Sequence, residues 1–281
     1  MKIAVSSYSY SQCLAQGKDM FWVVDQAARM GFAGIEFTNL PGNEPLALAS
    51  RLRDAAAKAN LPIVSYTVGA DLLSDPAAAV VGVKAQLDIA AALGAPVLRH
   101  DAASAPPEKS RDEAVFDAAL PALADGCRRI TEYAATLGIR TCVENHGYLV
   151  QHSRRCLRLV QAVAHSNFGW LIDVGNFLCA DDDPVAATRR LAPHAVHVHA
   201  KDFKITPASL AGSAPGLRSL GGALLAGSAV GEGNVDTRAC LAALRAAGYD
   251  GFLSIEYEGA SDCLEGLASG RRNLQTWLHQ A

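Results

Sequence analysis

Hydrophobic and polar positions alternate most sharply at Val196–Asp202, Val-His-Val-His-Ala-Lys-Asp. A period of two marks a strand with two unlike faces. It sets His197, His199 and Lys201 on one side and Val196, Val198 and Ala200 on the other. An exposed strand edge would also show such a row. On an inward face, however, two imidazoles and an ammonium need partners from elsewhere in the chain.

The remaining pattern is a repeating unit of helix, glycine and short apolar strand. It is plainest at Gly31-Phe-Ala-Gly34-Ile-Glu36, Gly94-Ala-Pro-Val97, Gly138-Ile-Arg-Thr-Cys-Val-Glu144 and Gly248-Tyr-Asp-Gly251-Phe-Leu-Ser-Ile-Glu256. The first glycine of each falls where a helix would end, in the left-handed cap that glycine takes without penalty. Nearly continuous apolar strands argue for a parallel sheet covered by helices. Eight are expected, at about 2–8, 34–38, 62–68, 96–101, 140–146, 169–174, 195–201 and 252–257.

Eight β-then-α units predict an α/β protein, a single (β/α)8 TIM barrel forming one domain over 1–281. An open doubly wound sheet shares the alternation, but no Gly-x-Gly-x-x-Gly follows the first strand. Ser74-Asp75-Pro76 is expected to cap the third helix, and Ser110-Arg-Asp-Glu113 reads as a capping box for the fourth. Pro121 is expected to kink or restart that fourth helix, and Asp183-Pro184 and Asp236 to open the sixth and seventh. A Gly/Ala-rich loop at about 203–235 breaks the rhythm, and a connection of that length reads as functional. Leu217–Leu225 is expected to be a short helix within it, and Gly231-Glu232-Gly233 to carry a carboxylate back toward the barrel mouth.

Composition narrows the function classes. Lys+Arg of 25 against Asp+Glu of 28 gives a net charge of −3, so no basic field draws the chain to nucleic acid or an anionic membrane. No apolar run is read as a bilayer span. The opening Met-Lys-Ile-Ala-Val-Ser-Ser-Tyr turns polar too soon for a signal-peptide core. The 7 cysteines are scattered, with no Cys-x-x-Cys, which is the usage of reduced thiols in a cytoplasmic protein. A homo-oligomer is compatible with this composition, although neither the few aromatics nor the Ala-rich helices mark an interface.

In a barrel of this kind the chemistry sits at the C-terminal strand ends. Those ends carry Glu36, Arg99-His100-Asp101, Glu144-Asn145-His146, Asp173, His199 with Lys201, and Glu256 with Glu258. Glu144, Asp173, His199 and Glu256 make three carboxylates and one imidazole on four consecutive predicted strands. Hard oxygen donors with one nitrogen suit one divalent ion: Mn²⁺, Mg²⁺ or Co²⁺, with Zn²⁺ compatible. Such an ion also lets three carboxylates share a small space without one staying protonated. Taken singly, Asp173 can serve as a turn cap, His146 as a core histidine and Glu36 as a partner for Arg99.

Gly34-Ile-Glu36-Phe, Val143-Glu144-Asn145-His146-Gly147, Leu171-Ile-Asp173-Val-Gly175-Asn176, His197-Val-His199-Ala-Lys201-Asp202 and Ser254-Ile-Glu256-Tyr together resemble the xylose isomerase-like barrel superfamily. They look closest to its sugar phosphate isomerase/epimerase branch, which includes ketose 3-epimerases, hydroxypyruvate isomerases and inosose dehydratases. The resemblance implies metal ligation by Glu144, Asp173, His199 and Glu256. It implies a metal-dependent isomerase or epimerase of a keto-sugar or polyol, working by proton transfer through an enediolate. Glu144 and Glu256 would exchange the proton and Lys201 would stabilise charge, with Glu36, His100, His146, Asn176 and His197 toward the substrate.

Two positions depart from the epimerase pattern: Asn176 where a histidine is usual, and Ile205 where an arginine is usual. A dehydratase of the inosose type on the same site is therefore the alternative. A nuclease of the endonuclease IV type lacks its extra histidines at Asn176 and near Tyr66–Thr67, and a non-catalytic sugar-binding barrel would have to lack a ligand or base.

Overall fold

Short apolar runs become parallel strands here because both faces are covered, one by helices and one by the opposite wall of a closed barrel. The structure, a computed structural model, describes residues 1–280; the expected domain end at residue 281 lies outside them. The first half contributes β1 (Lys2–Ser6), α1 (Met20–Arg29), β2 (Ile35–Thr38), α2 (Pro45–Lys58), β3 (Ile63–Val68), α3 (Pro76–Leu93), β4 (Val97–His100) and α4 (Glu113–Thr136). The second contributes β5 (Arg140–Glu144), α5 (Ser153–Val163), β6 (Phe168–Asp173), α6 (Pro184–Leu191) and β7 (Ala195–Ala200). An excursion of β8 (Asp202–Thr206), β9 (Leu217–Arg218) and β10 (Leu224–Ser228) precedes α7 (Thr237–Ala246), β11 (Phe252–Ile255) and α8 (Cys263–Gln280). The barrel closes in the order β1-β11-β7-β6-β5-β4-β3-β2, the expected TIM barrel.

The register brings the polar strand ends to one level. His199 lies beside Asp173 on β6 and Ser254 on β11, and Glu36 lies beside Ser6 and Ser65. Glu36 reaches His199 at 2.9 Å although β1 and β11 intervene between their strands. These side chains therefore cross the barrel interior, while alternate positions such as Val143, Ile172 and Val198 join the apolar layer under the helices.

Several local expectations are corrected. Asp112, not Ser110, caps α4 by accepting the Ala114 N–H; Ser110 ends a short helix at Pro107–Ser110 and its hydroxyl donates to the Ala105 carbonyl. Pro121 lies inside a continuous α4. It faces solvent, where water can satisfy the carbonyl it frees one turn earlier. α3 is long and apolar enough to cross a bilayer by length and composition alone, contrary to the sequence reading. Val80, Val83, Leu87 and Leu93 on it are instead buried in the barrel's apolar layer, between α2 and α4.

The loop expected at 203–235 is a three-stranded sheet in the order β8-β10-β9, antiparallel throughout, and Leu217–Leu225 is not helical. Phe203 and Leu225 pack with Cys179, Tyr148 and Leu178 at the barrel rim. The Gly231–Gly233 turn does not return a carboxylate to the mouth, because Glu232 is exposed and accepts from the Ser269 hydroxyl. The turn serves Asp202 instead. This buried carboxylate accepts the N–H groups of Phe203 (2.8 Å), Gly231 (2.9 Å), Gly233 (3.0 Å) and Val235 (3.0 Å). A Cβ on Gly233 would stand 2.1 Å from Asp202 Oδ1, so only glycine allows this approach.

Removing the Asp202 carboxylate leaves four N–H groups without their acceptor. We expect Asp202→Ala to cost on the order of 3 kcal/mol in urea unfolding and to speed hydrogen exchange at Gly231, Gly233 and Val235. Exchange unchanged from that of the parent chain would show that the excursion is held by other contacts.

Candidate metal centre

Four residues at the C-terminal ends of β5, β6, β7 and β11 offer ligand atoms that all lie within 4.8 Å of one another: Glu144, Asp173, His199 and Glu256. Each is placed by a local device. Glu144 and Asp173 are the last residues of their strands, and Glu256 follows the end of β11. The Asn145 side chain ties β5 to β6, donating to the Asp173 carbonyl at 2.8 Å and accepting the Asp173 N–H at 3.0 Å. Asp173 Oδ1 accepts the N–H groups of Gly175 (2.8 Å) and Asn176 (2.9 Å), which leaves Oδ2 turned toward the cluster. Gly175 is required there, because a Cβ would meet the Lys201 carbonyl oxygen at 2.9 Å.

His199 is fixed from behind. Its Nε2 lies 2.9 and 3.1 Å from the two oxygens of Glu36, so Nε2 carries the proton and donates it. Its Nδ1 then faces Glu256 (3.5 Å), Glu144 (3.7 Å) and Asp173 (3.8 Å). Nδ1 of His199 and Oδ2 of Asp173 are both buried without a hydrogen-bond partner. Two orphaned atoms aimed at one point, in a set of three oxygens and one nitrogen, fit a metal ion.

The electrostatics agree. Burial pushes the Asp173 carboxyl up to about 7, with Glu144 and Glu256 adding to the effect and Lys201 opposing it. Glu144 is held at about 2: burial opposes ionisation most strongly, but the Arg99 guanidinium 2.6 Å away and His199 together outweigh it. Glu256 is held well below the usual range against its burial, by Lys201 at 2.6 Å and by His199. Burial would lower the His199 pKa, yet Glu36, Glu256 and Glu144 hold it well above the ordinary value. The cluster attracts positive charge, as a proton or as a cation.

A pocket of about 260 Å³ opens above the cluster, and Glu144, Glu256, Lys201 and His146 line it. The other residues read from sequence as facing substrate lie elsewhere. Glu36 is fully buried between His199 and His197, not paired with Arg99, and His197 Nε2 also meets the Ser254 hydroxyl at 2.8 Å. His100 is fully buried, its Nδ1 on the Asp101 carbonyl, and burial lowers its pKa to about 4. Asn176 turns inward, donating to Glu144 at 2.8 Å and accepting from Lys201 at 3.3 Å.

Arg99 and Asp101, which the sequence places at a strand end beside His100 but without a role in catalysis or metal ligation, both line the pocket. The signal was present: on an alternating strand they share a face, and His100 takes the opposite one. Tyr8, Thr38, Asn39 and Thr67 also line the pocket, and no isolated motif marks them.

Two outcomes follow for the ion. Glu36→Gln, which can present the wrong hydrogen-bonding group to Nε2, is expected to weaken Mn²⁺ binding about 10–100-fold by calorimetry while the fold is retained. Protons compete for Asp173 and His199, whose pKa values are raised, so binding releases protons and affinity climbs as pH rises through about 7. Titration in buffers of different ionisation enthalpy measures this release, and an affinity independent of pH would contradict it.

A family profile described as xylose isomerase-like TIM barrel matches residues 24–279. An inosose dehydratase of Lacticaseibacillus casei is 25% identical in an alignment 146 residues long that covers 48% of this chain and 46% of that protein. The chain thus spans about half the length of the curated relatives it matches. Among solved structures, the probable 3-DHS dehydratase AsbF of Bacillus anthracis superposes with a TM-score of 0.77 at 19% identity, over 98% of this chain and 99% of that one. D-psicose 3-epimerase of Clostridium cellulolyticum H10, solved with D-tagatose, gives 0.75 at 15% identity over 99% of each chain.

Proposed function

The chain belongs to the xylose isomerase-like TIM barrel family, and on that premise we propose that it is a divalent-metal-dependent isomerase or epimerase of a keto-sugar or related polyol. One observation carries the reading. Glu144 and Glu256, on β5 and just past β11, both line the pocket, both meet the metal-ligand set, and each is kept ionised by its own cation. Two ionised carboxylates on different strands, lining one pocket, suit removal of a proton beside a carbonyl and its return to a different carbon or face.

Glu144, Asp173, His199 and Glu256 would hold a Mn²⁺, Mg²⁺ or Co²⁺ ion, which would supply Lewis acidity. The chain's own groups do the rest. Arg99 holds Glu144 in place through Oε2, and Asn176 holds it through Oε1. Lys201, in the pocket wall, offers its ammonium to the negative charge that develops on oxygen after deprotonation. The inosose dehydratase of Lacticaseibacillus casei and the D-psicose 3-epimerase of Clostridium cellulolyticum H10 support a small polyol or keto-sugar substrate.

A second reading, dehydration, is favoured by Lys201 itself. Its Nζ is 2.6 Å from Glu256 and 3.1 Å from Glu258 at the pocket wall, where it can give a proton to a departing β-hydroxyl. The carbanion's electron pair then forms the new carbon–carbon double bond and the hydroxyl leaves as water.

Proton exchange separates the outcomes. The Mn²⁺-loaded protein in deuterated water is expected to place deuterium beside the carbonyl of ketoses or a keto-inositol. Isomerisation or epimerisation shows a rearranged sugar by NMR, whereas dehydration shows the ultraviolet absorption of an enone. Glu144→Gln and Glu256→Gln are each expected to lower turnover about 10²–10⁴-fold. A metal-loaded protein that exchanges no proton with any keto-polyol would sink the reading.

A further inference from the structure

The pocket's charge balance bears on what enters it. Asp101, Glu144, Glu256 and Glu258 line it, and Asp173 lies directly behind Lys201. The cations in its wall are Arg99 and Lys201, and both are engaged. Arg99 forms ion pairs with Glu144 and Asp101 at 2.6 and 2.7 Å, and Lys201 with Glu256, Glu258 and Asp173 at 2.6, 3.1 and 3.3 Å. His146 is committed to Asp101 at 2.9 Å. Among the described residues, no further arginine or lysine lines the pocket. A bound divalent ion would offset the carboxylates without leaving a surplus of positive charge for a phosphate or carboxylate.

The opposite wall, from the ends of β2 and β3, is neutral and hydrogen-bonding: Thr38, Asn39 and Thr67. Thr67 is more than nine-tenths buried, and its Oγ1 has no partner in the protein. A buried hydroxyl that lines a pocket and lacks a partner calls for one from the ligand, and a substrate hydroxyl can both donate to it and accept from it.

We propose that the substrate of this site is an uncharged polyhydroxy carbonyl compound, carrying neither phosphate nor carboxylate, whose hydroxyl groups remote from the carbonyl are read by Thr67 together with Thr38 and Asn39. The inference rests on the proton-transfer reading for the identity of the site, but it concerns binding and is tested by binding.

The experiment is calorimetry and thermal shift on the Mn²⁺-loaded protein with a free ketose, a keto-inositol, the same ketose as its phosphate ester, and a cyclic hydroxy-keto carboxylic acid. Inorganic phosphate serves as a competitor. We expect the neutral compounds to bind at least tenfold more tightly than the charged ones, with no competition from phosphate. Thr67→Val is expected to weaken neutral binding about tenfold while Thr67→Ser retains it, since only the hydroxyl is at stake. Unchanged Mn²⁺ affinity in both variants would show that the loss lies with the hydroxyl contact and not with the fold. Tighter binding of the ester or the acid, no binding of any neutral compound, or a Thr67→Val protein that binds as the parent does overturns the inference. Neutral binding without deuterium exchange supports it and sinks the proton-transfer reading; exchange confined to a phosphorylated or carboxylated compound does the reverse.

Discussion

Three carboxylates at one buried barrel mouth repel one another and resist burial, and the rest of the site is arranged around that constraint. Glu144 answers it with Arg99, and Glu256 with Lys201. Asp173 has two backbone N–H groups on one oxygen and, on the other, only Lys201 at 3.3 Å. Its carboxyl is accordingly the one pushed up to about 7. A cation among these atoms would complete what the side chains leave undone, and the unpartnered Nδ1 of His199 offers the one nitrogen donor of the set.

The support behind that cluster reaches across the barrel. Glu36 projects from β2 to His199 on β7, and the same carboxylate meets His197 at 3.1 Å. Burial alone would raise the Glu36 pKa, but the two histidines hold it below the usual carboxylate range, so it stays an acceptor. A fixed acceptor at Nε2 presents Nδ1 as a lone pair to the mouth. The strand that carries these histidines continues through Lys201 to Asp202, which anchors the β8–β10 excursion and its glycine turn. One strand thus joins the interior of the barrel, the pocket wall and the rim.

Much of this was legible from the order of residues. The repeat of helix, glycine and apolar strand showed the barrel because a parallel strand covered on both faces leaves a continuous apolar run. The four candidate ligands were legible because each lies at or next to the C-terminal end of a strand, and strand ends share one rim in a closed barrel. His197, His199 and Lys201 share a face as the period of two requires. The same rule distinguishes Arg99 and Asp101 from His100, and applying it to β4 places His100 outside the pocket. The excursion was not legible, because Gly, Ala and Ser carry little alternation and its strands depend on Phe203 and Leu225 meeting Cys179.

By itself the sequence determined the architecture and the four groups at its rim that could hold a metal ion, since periodicity and strand ends are local properties that closure turns into proximity. Only the tertiary structure decided which polar groups face the pocket and which support it from behind. Glu36 is a support and Thr67 is a wall because that choice depends on which strands lie across the barrel from each other. It depends equally on which hydrogen bonds are already taken, and neither is written in the spacing of residues along one chain.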